Sequence, residues 1–364
     1  MLDVLPLHPV DRGHLEVLSD AVGIMQHAQG SLPDPAHGYC TDDVARALQV
    51  DLLHQRELGW RAVQDSATRN VRFLADAFDP ATGRFRNFRG ADGSWLDGIG
   101  SQDSHGRAMI ALAETMALAP DPHLAASAEQ VFCDALDAAL GLRALRARAS
   151  VLLACEIAGR AAPRAVITGA LRQLAERFQS SFHPRPSTPW MWPESRLTYE
   201  NALPVRALLV AGRYLGSETA IDGGLRLLDW LIDVQTAPAG HLSPIGNGWW
   251  PRGGPKSQFD QQPIEATAMV LAAETALELT KDDVYRVAIE RAYAWFLGAN
   301  DVGIPIATPE RGACHDGLTP TGVNGNEGAE STLMWLIALE HVRTMRTAEA
   351  ASPASPAVLA ASPA

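Results

Sequence analysis

Acidic and amide side chains cluster at points where apolar segments of the chain begin. Asp42 and Asp43 open one such segment, which is rich in alanine. Four similar clusters follow along the chain: Asp103-Ser104-His105, Tyr199-Glu200-Asn201, Gln262-Pro263-Ile264-Glu265 and Asn326-Glu327-Gly328-Ala329-Glu330. Carboxylates are favoured in the first turn of a helix by the helix dipole. If these helix starts share one end of a barrel, their side chains form a carboxylate-lined pocket.

Paired carboxyl groups are the chemistry of glycoside cleavage. One carboxyl must be protonated to donate to the leaving oxygen, and another must be ionised to activate water. A single acid in a first helical turn is commonly a cap or a dipole partner. Several on buried helices indicate function, because buried charges are rarely left without pairing. The predicted catalytic residues are Asp43, Asp103, Glu200 and Glu265, since each stands where a buried helix opens.

Aromatic and polar residues near these acids predict sugar binding. Sugar faces pack well on indole rings, although a tryptophan in a long loop is equally suited to covering the core. Amide side chains suit hydroxyl recognition, and a structural role is the alternative for the histidines. The predicted substrate-binding residues are Asp42, His105, Arg107, Trp190, Trp192, Glu194, Asn201, Trp249, Trp250, Asp260, Gln261, His315, Asp316, Asn326 and Glu330.

A metal site is the weaker alternative. Cys314, His315 and Asp316, with Cys40 far away in sequence, are similar to the zinc ligands of lanthionine cyclases, which are also toroids of paired helices. The surrounding motifs do not match that family, so we predict no metal. The chain also has no phosphate-binding loop or dinucleotide fingerprint, and we predict no cofactor.

Composition places the chain among globular proteins. It has 364 residues, of which 47% are hydrophobic and 20% are charged. The net charge of −12 argues against nucleic acid and against anionic membrane surfaces as partners. No apolar run is long enough for a membrane span, and the first residues lack a signal-peptide pattern. Four scattered cysteines suit a reducing compartment, so we predict a cytoplasmic protein.

The elements that must position these residues are twelve helices of two alternating kinds. Helices beginning near positions 42, 104, 143, 200, 264 and 328 are apolar nearly all round, which indicates burial. The intervening helices each carry a charged face. This pattern predicts an all-α protein with an (α/α)6 barrel, a six-hairpin toroid. The helix predicted over His14 to Ala28 is the outer partner of the last inner helix.

Three expectations follow for the barrel. All six inner helices should begin at one end, and the pair starting near Arg143 should form the plainest wall because it brings no acid. The barrel domain should span 1–346. Residues 347–364, rich in Ala, Ser and Pro, should form a disordered tail.

The motifs resemble those of the six-hairpin glycosidase-like superfamily. Within it they are similar to a bacterial (α/α)6-barrel family often found fused to, or beside, glycosyltransferases. The motifs are Gly38-Tyr39-Cys40-Thr41-Asp42-Asp43, Asp103-Ser104-His105-Gly106-Arg107, Leu197-Thr198-Tyr199-Glu200-Asn201, Asp260-Gln261-Gln262-Pro263-Ile264-Glu265, Trp295-Phe296-Leu297-Gly298-Ala299-Asn300-Asp301 and Asn324-Gly325-Asn326-Glu327-Gly328-Ala329-Glu330-Ser331-Thr332. The resemblance implies an oligosaccharide or glycan substrate and a functional association with a glycosyltransferase.

The function that combines these signals is glycoside hydrolysis without metal, with inversion favoured. Two alternatives stay open. One is a sugar epimerase or isomerase, which would use His105, His37 or His315 as its acid-base group. The other is a non-catalytic glycan-binding partner of a glycosyltransferase. Fold alone does not decide between them.

Overall fold

A computed structural model describes residues 5–182 and 189–351. Within these ranges the chain forms twelve α-helices. They are α1 (Gly13–Leu18), α2 (Thr41–Leu58), α3 (Trp60–Ala77), α4 (Gln102–Leu118), α5 (Pro122–Leu140), α6 (Leu145–Ala161), α7 (Ala165–Gln179), α8 (Ala202–Leu215), α9 (Glu218–Val234), α10 (Pro263–Thr280), α11 (Asp283–Phe296) and α12 (Ala329–Ala351).

The even-numbered helices form a closed inner ring. Each packs against the next in the order α2, α4, α6, α8, α10, α12, and α12 closes the ring on α2. The helices α3, α5, α7, α9 and α11 each pack outside the inner helix that precedes them. This arrangement confirms the predicted (α/α)6 barrel. The inner helices begin within two residues of the predicted positions.

Small residues let inner and outer helices approach closely. At the contact between α8 and α9, a Cβ atom on Gly212 would lie 2.9 Å from Cγ1 of Ile221. A Cβ atom on Gly224 would lie 2.7 Å from Cδ2 of Leu209. Both distances are shorter than a van der Waals contact. Glycine is the better fit at Gly212 in particular, because a Cβ atom there would also lie 2.9 Å from the backbone N of Ile221. The alanine-rich inner helices serve the same end, because a ring of six helices leaves little room for side chains inside.

The described strands are two residues long and join into antiparallel ribbons. The pairs are β1 (Ala28–Gln29) with β2 (Leu32–Pro33), β3 (Tyr39–Cys40) with β6 (Phe88–Arg89), β4 (Phe78–Asp79) with β5 (Arg84–Phe85), β7 (Arg196–Leu197) with β8 (Trp250–Pro251), β9 (Ala307–Thr308) with β10 (Ala313–Cys314), and β11 (Leu318–Thr319) with β12 (Gly322–Val323). The β3–β6 ribbon ties the segment before α2 to the loop before α4. The β7–β8 ribbon does the same for the loops before α8 and α10, so the loops that lead into the inner helices hold one another in place.

Two sequence-based boundaries differ from the structure. The predicted helix over residues 14–28 ends at Leu18, because the Asp20 carboxylate accepts the backbone N–H groups of Val22 and Gly23 and forms a turn there. The segment before α2 therefore supplies only the short α1 as a partner for the last inner helix, which also packs against α2, α10 and α11. At the other end, α12 continues past the predicted boundary at 346 to Ala351, and the rest of the predicted tail lies outside the described residues. No described helix is long and apolar enough to cross a membrane.

Candidate active site

The first turns of the inner helices converge at one end of the barrel, called the mouth below. Arg107 on α4 shows this most directly. Its Nη1 donates to Oδ1 of Asp42 on α2 at 2.7 Å, and its Nη2 donates to Oε2 of Glu200, two residues before α8, at 2.9 Å. Because α4 and α8 are not neighbours in the ring, the Arg107 side chain reaches across the mouth.

A second arginine joins the first turns of α2 and α12. Nη1 of Arg46 donates to Oδ1 of Asp43 at 2.8 Å, and its Nη2 forms an ion pair with Oε2 of Glu330 at 2.9 Å. The Cys40 thiol donates to the other oxygen of Asp43 at 3.0 Å. Asp43 is thus held on both oxygens and almost fully buried.

A third arginine, Arg146 on α6, connects α6 with α8 and α10. Its guanidinium donates to Oδ1 of Asn201 at 3.0 Å and to Glu194 at 3.2 Å, and also to the Tyr199 carbonyl. Nδ2 of Asn201 in turn donates to Oε2 of Glu265 at 3.0 Å. The third pair brings no acid to the mouth, as predicted, but α6 contributes the buried cation of Arg146, which was not anticipated from the sequence.

These contacts link the starts of all six inner helices, which confirms the expectation of a shared end. At the mouth lies a cavity of about 280 Å³. Its lining residues are Ser101, Asp103, Arg107, Tyr199, Asn247, Trp249, Gln262, Ile264 and Glu330. The cavity therefore presents two carboxylates, an arginine, an indole, a phenol and neutral polar groups, a mixture suited to a polyhydroxylated ligand.

Burial sets the proton affinity of two acids. Burial raises the pKa of Glu265 to about 7, against the hydrogen bond from Asn201 and the charge of Arg146, which lower it. Burial and the nearby Glu330 raise the pKa of Asp43 to about 6, although Arg46 opposes them. For Asp42, burial favours the neutral form but Arg107 and Arg46 outweigh it, so its pKa is lowered. The mouth thus holds both proton-binding and ionised carboxyl groups near neutral pH.

Asp103 lies on the cavity wall with a hydrogen bond from Tyr199. The Tyr199 hydroxyl donates to Oδ2 of Asp103, which fixes the direction of the carboxylate. Burial and the neighbouring Asp103 carboxylate raise the pKa of Tyr199, so the phenol keeps its proton. The Arg146 guanidinium lies 4.6 Å from the centre of the Tyr199 ring and makes a cation–π contact with it.

Backbone strain concentrates at the mouth. Four residues other than glycine have a positive φ within the described ranges, and three of them lie in the loops leading to the mouth. They are Glu200 at 48°, Trp249 at 65° and Asp260 at 54°. Such conformations cost roughly 1–3 kcal/mol each and are typical of functional sites. A positive φ is not compatible with an α-helix, so Glu200 lies outside α8, which begins two residues later.

The four loop tryptophans separate into two groups. Trp249 lines the cavity, with the Arg196 guanidinium 5.5 Å from the centre of its ring. Trp190 and Trp192 are buried in the core, where their indole N–H groups donate to Glu194. Trp250 stacks on Trp230 beside Trp190. Burial of Trp190 and Trp192 contradicts their predicted sugar contacts, and the half-buried Trp250 is not among the cavity-lining residues.

Two further predicted ligands are fully buried away from the cavity. The His105 ring packs edge-on against Phe85. Burial lowers its pKa to about 3, so the ring is neutral. Gln261 accepts from the Trp295 indole at 3.1 Å and donates to Asp301. Neither side chain reaches the mouth, because each is enclosed by the packing of its own hairpin, and the predicted sugar contacts of His105 and Gln261 are corrected accordingly.

The remaining predicted ligands support loops near α12. Oδ1 of Asp316 accepts the Gly328 N–H at 2.7 Å and the Ser331 hydroxyl at 3.1 Å, which caps α12. Oδ1 of Asn326 accepts the Gly30 N–H at 3.0 Å. His315 lies 3.8 Å from Glu327. The structure does not place these three among the cavity-lining residues, and it leaves the Asp260 side chain exposed.

Several residues of the mouth were not among the predicted site residues, although the amide of Gln262 was expected to suit hydroxyl recognition. The others are Arg46, Ser101, Arg146, Tyr199, Asn247 and Ile264. Tyr199, Gln262 and Ile264 stand inside the motifs quoted above, so their position beside Glu200 and Glu265 was a usable signal. Among the described residues, no group of three or more His, Cys, Asp or Glu side chains is arranged to hold a metal ion.

Comparison with known proteins finds similarity in structure and not in sequence. No family model matches the chain, and no curated protein matches it. A cellobiose 2-epimerase from Spirochaeta thermophila superposes with a TM-score of 0.70 at 15% identity, covering 92% of this chain and 93% of that one. A GH76 α-mannanase from Bacteroides thetaiotaomicron gives a TM-score of 0.66 at 10% identity, covering 93% and 95%.

A second mannanase structure is of interest for its variant. The α-1,6-mannanase of Salegentibacter sp. HEL1_6 was solved with α-1,6-mannotriose as an inactive form in which two consecutive aspartates are replaced by asparagine. It superposes with a TM-score of 0.61 at 10% identity and covers 92% of this chain and 97% of that one. These similarities extend over nearly the whole of each chain. The protein therefore shares the (α/α)6-barrel fold of these solved structures.

Proposed function

We propose that the protein is a carbohydrate-active enzyme that hydrolyses a glycosidic bond in an oligosaccharide. The observation that carries this proposal is the pairing of carboxyl groups at the mouth, where a proton-binding acid and a cavity-lining carboxylate stand on different inner helices. Glycoside hydrolysis needs one group of each kind. The association with a glycosyltransferase stays a prediction.

Glu265 is the proposed proton donor. Its pKa of about 7 keeps it largely protonated under mildly acidic conditions, and its Oε1 is buried with no close hydrogen-bond partner in the described part of the chain. A general acid works best with a pKa near the operating pH. Its chain neighbours Gln262 and Ile264 line the cavity, and Glu265 itself is buried beside Asn201. In this proposal, a sugar bound against these neighbours receives its proton from the Glu265 carboxyl.

Asp103 is the proposed base that activates water. It lines the cavity, and its carboxylate is oriented by the Tyr199 hydroxyl. In the order of the inner ring, its helix α4 is opposite α10, which carries Glu265. A sugar bound between them would meet the acid on one side and the activated water on the other.

The aspartate pair at the start of α2 serves a different purpose in this proposal. Asp42 holds Arg107 and Asp43 holds Arg46, so the pair organises two of the three arginines of the mouth. In the Salegentibacter mannanase, replacing two consecutive aspartates accompanies an inactive form. We propose that Asp42 and Asp43 are likewise required for activity here.

A histidine-based epimerase fits this site less well. Such an enzyme needs a base within hydrogen-bond reach of a sugar carbon. Among the described residues, no histidine lines the cavity. The three histidines considered from the sequence lie elsewhere: His105 in the core, His37 exposed against His27, and His315 beside Glu327.

One experiment separates the three candidate functions. The purified protein is incubated with a panel of neutral oligosaccharides, and new reducing ends are measured together with product composition. A hydrolase releases reducing ends, an epimerase changes sugar composition without releasing them, and a binding protein shows affinity without turnover. Loss of the released reducing ends in Glu265→Gln and in Asp103→Asn assigns the reaction to the mouth. Formation of an epimerised sugar without new reducing ends overturns the proposal.

A further inference from the structure

The arginines of the mouth are already paired with the protein's own carboxylates. Arg107, the cavity-lining arginine, is bound by both Asp42 and Glu200, on separate nitrogens. Arg46 is bound by Asp43 and Glu330 in the same manner. An anionic group on a ligand would have to displace one of these carboxylates to reach a guanidinium.

The two other cations near the site, Arg146 and Arg196, are also poorly placed to bind an anion on a ligand. Arg146 is buried and occupied by Glu194, Asn201 and the Tyr199 carbonyl. Arg196 stands at the rim over the Trp249 ring and is exposed to water, where salt screens its charge. Within the described residues, the lining of the cavity includes no lysine and no arginine besides Arg107.

The wall of the cavity also carries carboxylates, which would lie close to any bound ligand. Asp103 and Glu330 both line the cavity, and the Glu330 side chain is 41% exposed. Asp103 has a hydrogen bond from a neutral phenol, and Glu330 has one ion pair with Arg46. Among the described residues, the cavity lining thus carries two carboxylates against the single guanidinium of Arg107, an excess of negative charge.

We infer that the site takes uncharged sugars and rejects uronic acids. This inference rests on the proposed function only in taking a sugar as the ligand. A sugar carboxylate placed in the cavity would lie beside Asp103 and Glu330 with no cation free to bind it, and juxtaposed like charges exclude a ligand effectively. Neutral hydroxyl groups, by contrast, find acceptors in the carboxylates and donors in the side-chain amides of Gln262 and Asn247, which line the cavity.

The test compares binding of paired probes by calorimetry at low salt. The probes are the methyl glycosides of glucose and mannose and those of the matching uronic acids. The neutral member of a pair should bind ~10-fold or more tightly than its uronate. Glu200→Gln removes one partner of Arg107, so uronate binding should strengthen several-fold while neutral binding changes less. Asp42→Asn frees the other side of Arg107 and serves if Glu200→Gln does not fold.

A matched control is Glu114→Gln. Glu114 is another buried glutamate, bound by Gln49 about 16 Å further along α4 than Asp103, and it should leave both affinities unchanged. A uronate that binds the wild type as tightly as its neutral partner overturns the inference, as does failure of every neutral probe to bind. Hydrolysis of a uronate glycan would overturn it while upholding hydrolase activity. Tighter binding of the neutral probes without turnover of any oligosaccharide would uphold the inference and overturn the proposed hydrolase activity.

Discussion

Nδ2 of Asn201 donates to Oε2 of Glu265 over 3.0 Å, joining the residue before α8 to the first turn of α10. The other oxygen of Glu265 is buried and has no close hydrogen-bond partner among the described residues. The amide favours the ionised carboxylate, but burial favours the neutral acid more, and the pKa rises to about 7. Glu265 is therefore a carboxyl group that gains and loses a proton near neutral pH while one of its oxygens is fixed in place.

Replacing Glu265 by glutamine should abolish most of the activity. The amide keeps the size of the side chain and removes the proton that the leaving oxygen needs, so kcat should fall by about 10²–10⁴-fold. Steady-state kinetics on the oligosaccharide identified by the reducing-end assay measure the effect. Glu114→Gln, a buried glutamate away from the mouth, should keep near-normal kcat. Equal losses in the two variants would mean that the effect is structural.

The same variant should change how stability depends on pH. The folded-state pKa of Glu265 lies above its ordinary value of 4.5, so the folded protein binds more protons than the unfolded chain between pH 4.5 and about 7. Stability therefore falls as pH rises through this window, by about 3 kcal/mol for a shift of this size. Urea unfolding at pH 5 and pH 8 should show Glu265→Gln gaining stability relative to wild type at pH 8. The opposite pH trend would contradict the raised pKa.

Arg146 should act on Glu265 through Asn201. Arg146→Met removes a cation that lowers the pKa of Glu265, so the alkaline limb of the pH–rate profile should move to higher pH. It also frees Asn201, and kcat should fall ~10–100-fold through misplacement of the acid. Arg146→Lys keeps the charge but lacks the planar fork, so kcat should fall with the limb unmoved.

The control for Arg146 lies on the same helix. Arg148 donates to the Arg177 carbonyl and the Ser181 hydroxyl, toward α7. Arg148→Met should therefore leave the pH–rate profile unchanged. A shifted limb in Arg148→Met, or an unshifted one in Arg146→Met, would show that the Arg146–Asn201–Glu265 contacts do not set the acidity of the site.

Trp249 should contribute to substrate binding, whereas Trp192 should contribute to the stability of the fold. Trp249→Ala removes an indole from the cavity wall, so KM should rise about tenfold with a small change in unfolding free energy. Trp192→Ala empties a fully buried site and should lower the unfolding free energy by about 3–5 kcal/mol. Chemical denaturation and steady-state kinetics on both variants give the comparison. A stability loss of that size in Trp249→Ala would show that its ring belongs to the core.

The inner helices could be predicted because their amino-acid composition indicates that they are buried. A helix such as α10, whose residues are apolar on every side through most of its length, has no face suited to water, so it must lie inside a ring of others. The acids at the starts of these helices then have to meet at one end. This reasoning located Asp42, Asp43, Asp103, Glu200, Glu265 and Glu330 at the mouth.

Side-chain direction was harder to predict. Asp103 and Arg107 are four residues apart and share a helix face, whereas His105, two residues from each, points about 200° away from Asp103. Helical geometry could therefore have removed His105 from the predicted ligands. Arg146 and Arg148 are also two apart, but nothing local shows which of them points inward. That choice depends on Asn201 and Glu194, which come from other parts of the chain.

The stereochemical outcome should be inversion. Asp103 and Glu265 stand on α4 and α10, which are opposite members of a six-helix ring. With neighbouring axes about 8–10 Å apart, opposite axes are separated by about twice that distance, so carboxyl groups reaching inward leave a gap between them. Inversion requires such a gap, about 6.5–9.5 Å, to hold the attacking water, whereas retention needs about 5–5.5 Å. Proton NMR recorded during the first minutes of hydrolysis should show the product anomer opposite to that of the substrate. Its later equilibration serves as an internal control, because only the first-formed anomer reports the enzyme. A first-formed product with the configuration of the substrate would mean that a closer pair performs the reaction, and the acids gathered by Arg46 and Arg107 would then be the ones to replace.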